Sequence, residues 1–291
     1  MAIRKLAQSK SAPRKGYKLA SVNMDDLQGI STSAALVLTA ELSKWDDEVR
    51  QRLTPKPGSW KPEIRDQLFE LGFFDLFRNS PELSAEGAEK SANRLVKYIK
   101  GRCGDSGKTR LLKEKVVDVV GDGVEKWTFL HSGLDEAITN VSHHAYPVGS
   151  GFYGHEKTWY LTGSYDRESK ELKIVFYDQG VGIPKSLPVS KIWERVIKLL
   201  SGYSEDERKL DKILLKAAVE VGRTSTKKSD RGKGLQDLLE FVRQRRDGYI
   251  SILSLKGLFK LTLKNGVESI KSESFKYPIC GTLIIWSVTL K

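Results

Sequence analysis

Cysteine is scarce in this chain of 291 residues, with only Cys103 and Cys280. Two thiols cannot build a disulfide framework, and a reducing, cytoplasmic setting is the expectation. Long apolar runs are missing as well. Nothing approaches the roughly 18 apolar residues of a membrane-spanning helix, so no membrane partner is expected. The N-terminus is basic but lacks the apolar stretch of a secretory signal. Histidine is confined to His131, His143, His144 and His155, and together with Cys103 these lack the spacing of a zinc motif. There is no internal repeat and no low-complexity tract. Secreted scaffolds, membrane proteins and fibrous proteins are therefore excluded.

What remains is a globular composition, 39% hydrophobic and 30% charged. The length suits one large domain or two modest ones. Lysine and arginine total 49 against 37 acids, a net charge of +12. Arg4, Lys5, Lys10, Arg14, Lys15 and Lys18 supply half of that excess within residues 1–18, which hold no acid. Interrupted by Ser, Pro and Gly, this stretch reads as a flexible basic arm. It is either a solvated tail or a contact for nucleic acid or an acidic partner.

Residues 19–100 read as a small N-terminal α/β or helical domain. Ser31-Thr32-Ser33 is placed to cap a helix beginning at Ala34. Pro55, Pro57 and Pro62 break the chain into a loop, and a second helix carries Ile64, Leu68 and Leu71. Residues 82–100 and 110–120 also read as helical. Gly101 to Gly107 forms a turn-rich linker, so 101–123 is expected to be a linker and helix between domains. From residue 124 onward the pattern changes. Helices are expected at 129–145, 190–200, 207–221 and 234–245, and strands at 158–165, 171–178, 249–255, 258–264 and 281–290. Lys256-Gly257 reads as a hairpin turn.

Gly104-Asp105-Ser106-Gly107-Lys108-Thr109 imitates a phosphate-binding loop. That motif needs a glycine where this chain has Arg102, and a strand before it where this chain reads as helix. The linker reading is kept.

Four pieces in the second half carry chemistry. In the helix over Leu134–Tyr146, about 100° per residue gathers Leu130, Leu134, Ala137, Ile138, Val141 and Ala145 on one side. Glu136, Asn140, His143 and His144 fall on the other. A carboxylate and a carboxamide one turn apart suit a hard divalent cation, and a carboxylate there can deprotonate a water. The second piece, Asp178-Gln179-Gly180-Val181-Gly182-Ile183, follows a strand. An Asp at a strand end can accept from an exocyclic amine, and the glycines permit close approach of a flat ring. The third, Arg231-Gly232-Lys233-Gly234-Leu235, opens a helix whose N-terminus is an anion site. The fourth is Gly281-Thr282 at the start of the last strand. Each piece alone is also compatible with an ordinary surface helix, turn, basic loop or strand.

In this order and spacing the four resemble the Bergerat-fold (GHKL) ATPases, the superfamily of type II topoisomerases, ninety-kilodalton heat-shock chaperones, sensor histidine kinases and mismatch-repair ATPases. The resemblance covers about 124–291. It implies an α/β two-layer sandwich with a mixed, mostly antiparallel sheet and helices on one face, preceded by the smaller N-terminal domain. It implies ATP and Mg²⁺ as ligands. Asn140 would hold the metal and Glu136 would be the general base. Asp178 would take the adenine amino group, with Gly180, Gly182, Ile183 and Thr282 around it and His144 in the wall. Arg231, Gly232, Lys233, Gly234 and Leu235 would serve the phosphates. Residues 185–230 would form an ATP lid, with an apolar stripe of Leu210, Ile213, Leu214, Ala217, Ala218 and Val221 giving it structure of its own. Arg223, Lys227 and Lys228 are candidates for phosphate contact or for a solvated basic surface.

The sequence departs from the larger members: no transducer domain is expected after the last strand, and no hairpin with a phosphoacceptor histidine before the ATPase part. In the first half, Ile30-Ser31-Thr32-Ser33-Ala34-Ala35-Leu36, Leu53-Thr54-Pro55 and Leu71-Gly72-Phe73-Phe74 are similar to STAS-like domains. The leading expectation is an ATPase acting as a nucleotide-dependent switch on a protein partner or second protomer. The alternatives are a protein kinase acting in trans and a nucleic-acid-binding effector using the basic arm.

Overall fold

The computed structural model describes residues 24–290 except 46, 52, 54, 79–91, 106, 150–156 and 225–233. The basic arm therefore lies outside the described residues.

The fold is α/β. Strands β1 (Asn93–Leu95), β2 (Ile99–Arg102), β3 (Thr158–Asp166), β4 (Glu171–Asp178), β5 (Gly248–Lys264) and β6 (Val267–Thr289) form one open sheet. Its order is β1-β3-β4-β6-β5, with β2 also pairing β3, and every pairing is antiparallel. Period-two alternation sorts the side chains. Ile174, Phe176, Ile284, Trp286, Ile250 and Ile252 point to one face, and Tyr160, Val175, Tyr177 and Leu283 to the other.

The first face is covered by helices α3 (Lys108–Val120), α4 (Trp127–Asn140), α6 (Asp211–Thr224) and α7 (Gly234–Arg245). Their apolar stripes supply Leu112 and Val116, then Leu130, Leu134 and Ala137, then Leu215 and Val219, then Leu238 and Val242. Gly133 lets α4 and α7 meet closely, since a Cβ there would lie 3.1 Å from the Asp237 carbonyl oxygen. A π-helical turn, Val141–Ala145, extends α4 toward the strand ends. Within 185–230, α5 (Trp193–Leu200) packs with α6 around Leu187, Val196, Leu200, Ala218 and Val221. The expected lid segment thus has a small core of its own. Two of its residues, Leu215 and Val219, also reach the main core, and neither belongs to the expected stripe. Leu210, which does, is 41% exposed.

The second face is covered too, where the sequence reading placed helices on one face only. Helix α1 (Thr32–Ser43), capped by the Ser31 hydroxyl on the Ala34 N–H, and α2 (Pro62–Leu71) pack through Leu36, Ile64 and Leu68, with Phe73 from the turn after α2, against Tyr160, Val175 and Tyr177. The described part of residues 19–78 is helical. Tyr160, Val175, Tyr177 and Leu283 would otherwise be a water-exposed apolar surface, and that is why this layer closes on the same sheet.

Two local expectations are corrected. Residues 93–95 and 99–102 are edge strands rather than helix; residues 82–91 lie outside the described part. Pairing with β3 lets Gly101 sit against the Trp159 ring, where a Cβ would come within 2.1 Å. Residue 101, the expected start of a linker, is therefore inside β2. The hairpin turn is at Asn265-Gly266, not Lys256-Gly257. β5 runs past Gly257 with a register shift, because the N-terminus of α6 presses there. The Lys256 N–H donates to Asp211 Oδ2 at 3.0 Å, and a Cβ on Gly257 would meet the Asp211 backbone at 2.8 Å.

Candidate functional site

A cavity of about 540 Å³ opens between the end of β4, the Thr282–Ile284 part of β6, helix α4 with its π-turn, and the first turn of α7. Glu136, Asn140, His144, Asp178, Gly182, Ile183, Leu235 and Thr282 all line it. Gly180 is not among the lining residues, and Gly234 begins α7. Arg231, Gly232, Lys233, Lys227 and Lys228 lie outside the described residues. Phe176, Ile284, Leu238 and Ala218 give the cavity an apolar lining.

Asp178 ends β4 on the face covered by α4 and α7 and is 4% exposed. Its Oδ1 accepts from the Gly180 N–H at 2.8 Å. The Thr282 N–H and hydroxyl, across the strand pair, also favour the charged form, as does the nearby Lys44 ammonium. Burial outweighs them and pushes the carboxyl up to about 6. At neutral pH it is an ionised acceptor held away from water.

The backbone around it is built for close approach. Gly182 has φ +86°, and a Cβ would lie 2.9 Å from Leu255 Cγ and Ser254 Oγ. Gly281 has φ +73°, and a Cβ would lie 2.1 Å from the Asp178 carbonyl oxygen. Both positions need glycine on conformation and on space. Gly180 sits under the π-turn, where a Cβ would meet the Ala145 carbonyl oxygen at 2.3 Å, and Val181 N–H donates to that oxygen at 2.8 Å.

On α4, Asn140 Nδ2 donates to Glu136 Oε1 at 2.8 Å. The bond uses an Asn140 donor, so the Asn140 carbonyl oxygen and the second Glu136 oxygen keep their acceptor capacity. Burial raises the Glu136 carboxyl, and the Asp237 carboxylate adds to the effect. His144 is half-buried, and burial, then His143 and Lys191, lower its pKa, which favours the neutral ring.

Several site residues were not anticipated. Ser254 is fully buried; its Oγ accepts from the Ile183 N–H at 2.9 Å and lies 3.1 Å from both the Gly281 carbonyl oxygen and Thr282 Oγ1. The signal was present, since a serine continues the inward series Ile250, Ile252. Tyr146 donates to the Thr158 carbonyl oxygen at 2.8 Å and accepts from the Gln179 N–H at 3.4 Å, bracing the Asp178 turn from behind. Ser186, Ser190 and Lys191, from the segment after Ile183, add polar groups to the wall.

Chemically, the cavity offers a buried anionic acceptor on an apolar floor, oxygen donors on α4, and a helix N-terminus at α7. No family model and no curated protein sequence matches the chain.

Proposed function

We propose that this cavity binds ATP with Mg²⁺, and that the chain is a slow ATPase of the Bergerat type whose nucleotide state acts on a protein partner. One observation carries the reading. Four sequence pieces, far apart in the chain, bring the buried Asp178 carboxylate, the Glu136–Asn140 pair, Thr282 and the first turn of α7 to one cavity of about 540 Å³. That size falls within the roughly 300–1,000 Å³ of small-molecule sites. The open antiparallel sheet with α4 and α7 on one face is compatible with the Bergerat arrangement, and the N-terminal helices are an addition to it.

Asp178 accepts the hydrogen bond of an exocyclic amine, and Gly182 and Gly281 let the backbone close tightly against Ser254 and Asp178, which fixes the wall that holds this carboxylate. Phe176 and Ile284 exclude water from it, which strengthens the carboxylate contact. Thr282 and Ser254 hold Asp178 and the Ile183 amide in place. Asn140 would hold a hard cation through its carboxamide oxygen, since its Nδ2 is taken up by Glu136 Oε1 and both residues line the cavity. Bound there, Mg²⁺ would offset phosphate charge. Glu136, with its raised pKa, takes the proton of the attacking water. The first turn of α7, whose Leu235 lines the cavity, would offer its backbone N–H groups to the phosphates.

Calorimetric titration of Mg·ATP into the wild type and Asp178→Asn tests the reading. The wild type binds, and the variant is weaker by about 10- to 100-fold, the value of a charged hydrogen bond. A folded wild type that takes up no ATP overturns it. Phosphate release measured beside phosphate transfer to a co-purified protein separates hydrolysis from kinase action.

A further inference from the structure

Tyr177 and Gln179 flank Asp178 in sequence and, by strand alternation, face the opposite way, into the N-terminal layer. Both are buried, and both donate to one oxygen of Glu41, near the C-terminal end of α1: Tyr177 through its hydroxyl at 3.1 Å, Gln179 through Nε2. A carboxylate only accepts, so Glu41 fixes which end of the Gln179 carboxamide faces it. Gln179 Oε1 is buried without a protein partner, so the side chain is held from one end only. On its other side the Gln179 amide is held by Tyr146. The strand end that presents Asp178 is therefore clamped between the π-turn of α4 and a carboxylate on α1.

We propose that Glu41 is a positioning residue that sets the base selectivity of the nucleotide pocket from the N-terminal layer. This rests on the ATP reading above. A carboxylate at Asp178 rewards the amine of adenine and repels the carbonyl oxygen that guanine presents at the same place. The reward depends on Asp178 being held to within a fraction of an ångström. The phosphate and metal contacts come from α4 and α7, on the far side of the sheet, and do not depend on Glu41. Releasing the clamp therefore lowers selectivity more than it lowers triphosphate binding.

The experiment compares ATP and GTP affinity, by calorimetry with Mg²⁺, in the wild type, Glu41→Ala, Glu41→Gln and Ser43→Ala. Ser43 lies at the same end of α1 and bonds to Tyr160 at 2.6 Å, without touching Tyr177 or Gln179 through a hydrogen bond. Glu41→Ala is expected to lose about tenfold of the ATP-over-GTP preference. Glu41→Gln, whose carbonyl oxygen accepts both donors, restores most of it, and Ser43→Ala keeps it. Hydrogen exchange in the nucleotide-free protein gives a second reading: the Gly180 amide exchanges faster in Glu41→Ala and unchanged in Ser43→Ala. Should Glu41→Ala fail to fold, Gln179→Met deletes the donor at similar volume and shows the same loss. A wild type that binds neither nucleotide overturns the pocket reading and this inference together. A wild type that prefers ATP, with Glu41→Ala or Gln179→Met preferring it equally, overturns this inference alone.

Discussion

Asp178 on β4 and Thr282 on β6 are direct cross-strand partners, and the N–H and hydroxyl of Thr282 hold the Asp178 carboxylate from the side. The pair ties the sheet to the pocket, so changes there affect stability and binding together.

Stability should fall as pH rises through the range set by Asp178. Its folded pKa, about 6, stands above the unfolded value of about 3.9. Between those values the folded state keeps a proton that the unfolded state has lost. The stabilisation is complete below about pH 4 and lost as pH rises through about 6. The amount is on the order of 2–3 kcal/mol, from about 1.4 kcal/mol per pKa unit. Asp178→Asn removes this slope. Thermal melts at pH 5 and pH 8 should show the variant gaining about twice as much on the wild type at pH 8 as at pH 5. Equal shifts at both pH values would refute the assignment.

Gly281→Ala should be among the most damaging single changes in the sheet. The new Cβ would overlap the Asp178 carbonyl oxygen, and φ is +73°. A loss above about 3 kcal/mol in urea unfolding is expected, from steric overlap added to strain. Gly121→Ala is the control. Its φ is +85° with open space around it, and strain alone costs about 1 kcal/mol.

Glu136→Gln should bind Mg·ATP about as well as the wild type and release phosphate about 10²- to 10⁴-fold more slowly. Single-turnover phosphate release checks it. Hydrolysis at the wild-type rate would assign the base elsewhere.

Leu215→Ala should cost about 2–5 kcal/mol, because Leu215 is fully buried where α6 joins the main core. Leu210→Ala, at 41% exposure, should cost under about 0.5 kcal/mol. Urea unfolding of both variants measures the difference. Proteolysis of the 185–224 segment should accelerate only in Leu215→Ala.

The helix over 127–145 and the alternation of β4 were legible in the sequence, because each periodicity is set by local geometry. That was enough to put Glu136 and Asn140 on one side of α4 and to place Asp178 at a strand end. The hairpin was misread because Lys256-Gly257 looks like a turn. What fixes Gly257 is the backbone of Asp211, a neighbour the local sequence does not disclose.

The sequence by itself determined the elements and the candidate chemistry of the second half, since 3.6- and 2-residue periods and turn glycines are local properties. Only the tertiary structure decided that the N-terminal helices close the second face, that Ser254 and Tyr146 brace the pocket, and that Glu41 reaches Tyr177 and Gln179. Those are contacts between residues far apart in the chain, fixed by strand register and by the need to bury both faces of one sheet.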